Sequence, residues 1–397
     1  MIQQPMRVIV VGAGLAGLAI AHGLKKNNIP YVIVDRETAP RDRNWAITLG
    51  WALPLLQKLL PDNLYDSIQQ CQPDPNLDAK LAGQTGLLVR DGATGEAKTV
   101  SRFPSIRRLN IQKTKRHFSE GLDIRYGKRL VDIALAPGND AGVTAYFDDG
   151  TSETGTTIVG ADGGASHVRR WLLGDLALPE ALPCDFMNFS FTLPADIALR
   201  LDKEMNPTVD VGAHPSNMYL GVFLLDKPDI ERPETWVFYI LSTWSLSDAG
   251  IHHPGSRLSE LRSRMRDWFD LFKVVVDNVP DDVEIKPDQL RIWKTRPWDN
   301  HRGRITLAGD AAHSMTFHRG QGGNLAIKDA DELVKNIITV QRDKVPLQDA
   351  IDTYDKGALL RGEEVEISRQ CSMAFLDYDN FENSPVFKMG VNPAVKF

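Results

Sequence analysis

The stretch RVIVVGAGLAGLAIAHGLKKNNIPYVIVDR, Arg7 to Arg36, decides the fold. Val8 to Val11 is an apolar, β-branched run, the mark of a strand covered on both faces. Gly12-Ala13-Gly14-Leu15-Ala16-Gly17 breaks that run. Leu15, Leu18, Ala19, His22 and Leu24 then recur near the 3.6 period of a helix. Pro30 punctuates, and Tyr31 to Val34 is a second buried strand that ends in Asp35. Strand, glycine turn, helix, strand and then an acid about 20 residues past the glycines is the pattern of a dinucleotide-binding unit. Gly12 allows the tight turn, Gly14 lets a pyrophosphate approach the backbone, and Gly17 lets the helix pack on the strand. Leu15 and Ala16 open the helix, whose free N–H groups and partial positive charge suit phosphate. Asp35, with Arg36 beside it, suits a ribose diol.

The rest of the composition narrows the partners. The chain has 397 residues, room for two or three domains' worth of core, and a formal net charge of −6. That balance argues against a nucleic-acid partner; basic clusters such as Lys113 to Arg116 are short. Cys71, Cys184 and Cys371 share no metal or redox spacing, so neither a disulfide framework nor a metal site is expected, and the reducing cytoplasm is the expected location. No run reaches the roughly 18 apolar residues of a membrane span. A small-molecule partner and a monomer or homodimer are expected.

Further along, Trp51 to Leu60 has a helical spacing, and Leu87 to Arg90 with Lys98 to Phe103 reads as paired strands. Leu109 to Glu120 is a helix. Val143 to Phe147 and Thr151 to Thr154 flank an Asp149-Gly150 hairpin turn. Thr157 to Asp162 and Ile305 to Asp310 are two more buried strands ending in acids. Between them the pattern changes. Met187, Phe189, Phe191 and Leu193 alternate with polar residues; Tyr219 to Leu225 and Trp236 to Leu241 are strands. Arg257 to Phe272 reads as one amphipathic helix. A helix opens at Gly320 to Asn324, another spans Leu347 to about Ala374, and the tail after Asp377 reads as partly disordered.

Two later segments, GADGGASHVRR (Gly160 to Arg170) and GRITLAGDAAH (Gly303 to His313) with GQGGN (Gly320 to Asn324) after it, join the first turn. Together the three resemble the signatures of the class A flavin-dependent monooxygenases, the para-hydroxybenzoate hydroxylase family. The resemblance implies an α/β fold: a Rossmann-type FAD-binding domain with an interleaved sheet-plus-helix substrate domain. The FAD-binding domain would be discontinuous, over 1–75, 101–180 and 297–365. The substrate domain would take 76–100 and 181–296, and 366–397 would form a C-terminal helix and tail. The resemblance also implies non-covalent FAD, with NADPH or NADH as a transient reductant. A flavin C4a-hydroperoxide made from O2 would then hydroxylate or epoxidise a small aromatic or polycyclic substrate.

It carries site roles too. Asp35 would hold the adenosine ribose, and Gly309 and Asp310 the ribityl or pyrophosphate side. Asp162 to Arg169 would support flavin and nicotinamide. Gly320, Gly322, Gly323 and Asn324 would lie against the flavin pyrimidine. Asp162 and Asp310 also suit the ordinary role of helix cap after a strand. Two departures from the family stand out. Its prolines are missing from Ser314 to Arg319, so His318 either faces the substrate or is structural. Its FAD-contacting arginine is replaced by Ile111 or Gln112, and Arg43, Arg107 or Arg108 would substitute. Catalytic residues are weakly marked: Tyr239 and His214 lead, followed by Tyr219, Trp244 and Arg200. A halogenase is disfavoured because its WxWxIP motif is absent; an oxidase or reductase that inserts no oxygen, or a flavin-binding protein without turnover, remains an alternative.

No histidine or cysteine sits in an evident flavinylation context. The purified protein is therefore expected to be yellow, and acid precipitation should release all of the flavin into the supernatant; flavin left on the precipitated chain would contradict this.

Overall fold

The computed structural model describes residues 6–38, 44–77, 86–102, 106–138, 142–207, 209–246 and 256–389. Its centre is a parallel sheet in the order β18-β11-β1-β2-β7. These are Ile305–Leu307, Thr157–Gly160, Val8–Val11, Tyr31–Val34 and Ile124–Arg125. Val8, Ile9 and Val10 are wholly buried, as a strand covered on both faces requires. One face packs on the helices Leu15–Lys26 and Gly322–Arg342. The other packs on a three-stranded sheet, order β10-β9-β8, made of Ser152–Gly155, Val143–Phe147 and Leu130–Leu135.

The pairing register places the function. Val11 lies opposite Gly160, and Gly160 opposite Leu307. The three sequence motifs therefore leave the sheet at one height on one edge. Backbone bonds continue past the strands, from Ala161 N to Val11 O and from Ala308 N to Gly160 O, both 2.8 Å. Gly12, at φ +110°, turns so close to the next loop that a Cβ there would lie 2.4 Å from Ala161 O.

A six-stranded sheet, order β13-β16-β15-β14-β4-β5, stands apart from the first. Its strands are Cys184–Thr192, Val237–Ser245, Met218–Asp226, Val209–His214, Gly86–Asp91 and Ala97–Arg102. Alternation sorts its side chains. Met218, Leu220, Val222, Phe238 and Ile240 pack on helices Arg257–Arg264 and Asp270–Asp277. Tyr219, Phe223 and Tyr239 face the other way. A ribbon of β3 (Ala46–Leu49) and β6 (Arg107–Asn110) lies beside the glycine turn, and β12 (Glu180–Ala181) pairs with β17 (Arg291–Ile292). Among the described residues no helix is long and apolar enough to cross a membrane, and no His/Cys/Asp/Glu cluster suits a metal.

Two expectations need correction, and the start of the tail can be described. The single helix over Arg257 to Phe272 is broken after Arg264 and restarts at Asp270. Phe269 N is drawn to Gly92 O at 2.7 Å and the ring covers Gly95, so tertiary contacts override the period. The helical region from Leu347 is two helices, Leu347–Arg361 and Glu363–Ala374, joined at Gly362, which has no room for a Cβ beside Thr295. The tail forms a 3₁₀ turn, Tyr378–Asn383, and a short helix, Pro385–Met389, because Phe381 and Val386 are wholly buried. Residues 390–397 lie outside the described residues.

Asp329, fully buried in the helix Gly322–Arg342, clamps the third motif. Its Oδ2 accepts from Gly309 N at 2.6 Å and pairs with His313 Nε2 at 2.7 Å; its Oδ1 accepts from Arg361 Nε at 2.5 Å. These partners hold its carboxyl below the usual range against the opposing effect of burial. Removing Arg361 leaves the buried Asp329 carboxylate with only Gly309 N and His313, and breaking a buried pair in this way costs up to about 3–5 kcal/mol. Arg361→Met is therefore expected to lower the unfolding free energy by about that amount in urea. The exposed pair Arg232–Glu234 is the control: Arg232→Ala should change it by less than about 1 kcal/mol.

Candidate active site

Between the Gly320 turn and the inner face of the six-stranded sheet lies a cavity of about 860 Å³. This is within the usual range for a ligand pocket. Asp310, Gly320, Gly322, Gly323 and Asn324 form one wall. Val211, Tyr219, Phe223 and Tyr239 form the floor. Thr48 and Arg108 reach in from the β3–β6 ribbon, and Phe317, His318 and Phe375 complete the lining.

The wall suits a dinucleotide. The helices Leu15–Lys26 and Gly322–Arg342 both begin with no side-chain cap and no acid in the first turn. Their leading N–H groups are thus open to an anion. Leu15 reaches to within 3.6 Å of the place a Cβ on Gly323 would take, while a Cβ on Gly322 would meet nothing closer than 3.9 Å. Gly309, at φ +61°, lies against Ala16 and swings Asp310 into the cleft. The Asp310 carboxylate is open to the cavity yet deep in the fold. Burial raises its pKa, against the pull of His313 and Arg169. Such a carboxylate calls for hydroxyl donors, which a ribityl or ribose chain has.

Other expected contacts serve the frame. Asp35 binds Ala13 N through Oδ2 at 2.6 Å and Glu37 N through Oδ1 at 2.8 Å, tying the second strand to the glycine turn. Arg36 pairs with Glu37 at 3.5 Å. Arg43 lies outside the described residues. Asn324 fastens the wall to β3: Nδ2 donates to Thr48 O and Gly320 O, both at 3.0 Å, and Oδ1 accepts from Gly50 N at 2.9 Å.

The Asp162 carboxylate is engaged within its own motif: it accepts from Ser166 Oγ at 2.5 Å and His167 N at 2.6 Å, beside the N-cap Ser166 of the helix His167–Leu173, and it does not line the cavity. Arg169 is buried and donates to carbonyls of Gly164, Ala177, Asp310 and Ala311. It staples the second motif to the third. Burial pushes its pKa down to about 10, against the attraction of Asp162 and Asp310.

Of the candidate catalytic residues, only Tyr239 and Tyr219 line the cavity. His214 does not. In Val209–His214 the odd residues Val209 and Val211 face the cavity and the even ones face away, so His214 stacks on Trp268 at 4.7 Å on the outer side. Trp244 is buried on that same outer side, and Arg200 pairs with Glu204 and Asp270 at the surface. Arg108 is the buried polar side chain on the cavity wall whose direction is least visible in the sequence. Arg108, expected as a cofactor contact, faces the floor. It lies over the Phe223 ring at 4.4 Å and donates to Thr48 Oγ1 at 3.1 Å. It is 5% exposed, and its Nε and Nη2 have no hydrogen-bond acceptor among the described residues. Burial lowers its pKa, against the electrostatic attraction of Tyr239, a hydrogen bond with the Tyr239 hydroxyl and the attraction of Tyr219; no carboxylate among the described residues opposes it.

The model of a family described as "FAD binding domain" matches residues 113–368. The chain is 32% identical to FAD-dependent monooxygenase phnB of Penicillium herquei, over 97% of this chain and 95% of that one. It is 31% identical to FAD-dependent monooxygenase cctM of Talaromyces islandicus, over 97% and 96%. Among solved structures, PqsL of P. aeruginosa in complex with 2-aminobenzoylacetate superposes with a TM-score of 0.76 at 19% identity, over 95% of this chain and 98% of that one. Klebsiella pneumoniae HpxO, complexed with FAD and uric acid, superposes with a TM-score of 0.74 at 19% identity, over 98% and 96%.

The two acids should differ on substitution. Asp310→Ala removes only an acceptor in the cleft, so dinucleotide affinity should fall about ten- to hundredfold, roughly 1–3 kcal/mol, with the urea midpoint little changed. Asp35→Ala also frees Ala13 N and Glu37 N and should lower the midpoint. Fluorescence titration with FAD beside urea melts checks this; equal midpoints for the two variants would contradict it.

Proposed function

Because the chain belongs to the FAD-dependent monooxygenases, we propose that it hydroxylates or epoxidises a small aromatic or polycyclic molecule that it binds as an oxyanion against Arg108. FAD, when bound, supplies the activation of O2 and the transfer of one oxygen atom, with NADPH or NADH as the electron source. The protein's part is to bind, orient and keep water out. The N-termini at Leu15 and Gly322 take the pyrophosphate and the electron-rich edge of the flavin pyrimidine. Asp310 accepts from hydroxyls of the chain between them.

The observation that carries the substrate reading is Arg108. A guanidinium keeps its charge in a protein interior, and burying it without a counter-ion is costly. Here it has aromatic and hydroxyl neighbours on a cavity wall and no carboxylate partner among the described residues. An acidic phenol or enol bound as its anion, its proton released to solvent, would complete it. The Tyr239 hydroxyl, on the same wall and hydrogen-bonded to Arg108, would position that oxygen. Phe223 and Phe317 offer flat apolar walls for a ring and exclude water from the reacting face. The free, buried state of Cys71, Cys184 and Cys371 supports a reducing cytoplasm, and we take the protein as a monomer or homodimer there.

A charge-assisted hydrogen bond contributes about 1.5–3 kcal/mol. Arg108→Met should therefore weaken binding of a phenol such as 1-naphthol to the oxidised holoenzyme by about tenfold or more. The wild-type affinity should rise with pH toward the pKa of the free phenol, since the anion is the favoured form, and the variant should lose that slope. Perturbation of the flavin absorbance measures both; equal affinity and equal slope in the two proteins would overturn the oxyanion reading.

A further inference from the structure

His318 occupies a position that the mechanism above leaves unused. It lines the cavity, is 7% exposed, and is gripped by rings: Phe317 stacks on it at 4.1 Å, Tyr219 meets it edge-on at 4.7 Å and Phe375 lies at 5.3 Å. Its Nδ1 is 2.8 Å from Ser372 Oγ, and its Nε2 is itself buried and has no hydrogen-bond partner among the described residues.

The surrounding hydroxyls bear on which nitrogen carries the hydrogen. Ser372 Oγ lies 2.7 Å from Thr316 Oγ1 and 3.0 Å from Ser368 O, and Thr316 Oγ1 lies 2.9 Å from Ser368 O. Each hydroxyl has one proton and a neutral imidazole has one. If Nδ1 bears the imidazole proton, it donates to Ser372 Oγ. Ser372 then donates to Thr316 and Thr316 to Ser368 O, leaving no proton without an acceptor. If Nε2 bears it, that proton has no partner, and only the two hydroxyl protons serve the cluster's four close contacts. The hydrogen-bond network therefore assigns the proton to Nδ1, which leaves Nε2 as a bare lone pair. Burial pushes the imidazole pKa down to about 3, so the ring stays neutral at working pH. A neutral acceptor of that kind is no useful general base near neutrality. It suits a hydroxyl donor.

We propose that His318 reads a second hydroxyl of the substrate, its Nε2 accepting the hydrogen bond while the acidic oxygen of the same aromatic sits at Arg108. The substrate class is then a polyhydroxylated aromatic, not a simple phenol. Ser372 is the positioning residue, holding the tautomer from the helix Glu363–Ala374. The proposal rests on the reading that this cavity takes an aromatic oxyanion. Both sites flank Tyr219, whose ring touches His318 and whose hydroxyl acts electrostatically on Arg108.

Matched ligands test it. Oxidised holoenzyme is titrated with 1-naphthol and with a panel of dihydroxynaphthalenes, following the flavin absorbance. Wild type should bind at least one diol about tenfold or more tighter than 1-naphthol. His318→Asn keeps an amide at the Nδ1 position and removes Nε2, and should bring that ratio to about one. His318→Gln places an amide oxygen near the Nε2 position and should restore much of it. A wild-type ratio near one for every diol, or a ratio that survives in His318→Asn, overturns the proposal. Arg108→Met separates this from the underlying reading: it should weaken all ligands together and leave the ratio intact. If it weakens none, the oxyanion reading fails while the ratio still judges His318. Should His318→Asn lose its flavin, nitrogen NMR of histidine-labelled wild type decides. An unprotonated Nε2 at neutral pH supports the proposal, and a protonated one overturns it.

Discussion

The in-register parallel pairing of β1, β11 and β18 is the constraint on which the rest depends. Parallel neighbours start and stop together only when their registers agree, and here Val11, Gly160 and Leu307 stand in one row. Three loops far apart in the chain are thereby delivered to one edge, the usual place for a ligand on an open α/β sheet. Gly12 against Ala161, and Gly309 against Ala16, show how little space separates them. Asp329 and Arg169 then lock the loops from behind. One anchors Gly309, His313 and Arg361; the other bridges Gly164 to Asp310 and Ala311. Neither lines the cavity, yet both determine where Asp310 stands.

The second half of the site is set by a different period. Strands of the six-stranded sheet alternate between an outer face packed on helices and an inner face that floors the cavity. One position of shift would exchange Tyr239 for Phe238 and lose the polar floor. The C-terminal segment closes the arrangement. Phe375 and Val386 line the cavity from beyond the end of the FAD-binding family match, so the wall facing His318 comes from a part of the chain that carries no cofactor motif.

Much of this was legible in the sequence, and the reasons differ by element. The βαβ unit and the two later strand-turn motifs are legible because spaced glycines and buried β-branched runs each have one local explanation. Tyr239 lies in a well-marked strand, which points to the sheet but not to the face it takes. His214 has no such mark, because Val209–His214 is short and carries no clear strand pattern, so its parity is not legible. Asp162 reads either as a ligand contact or as part of a helix start, because both ask for the same residue at the same place. Arg108 is suggested by its neighbourhood, but its direction follows from the pairing of β6 with β3, a long-range fact with no local signal. The break at Phe269 and the order of the tail likewise come from contacts with distant residues.

The most direct test of the account is the fate of oxygen. Holoenzyme turning over NADPH or NADH under heavy dioxygen, with hydroxylated naphthalenes as substrates, is analysed by product mass. The account predicts a product that carries one labelled oxygen atom per turnover. Reductant consumed entirely to labelled hydrogen peroxide, with every aromatic recovered unchanged, would contradict it.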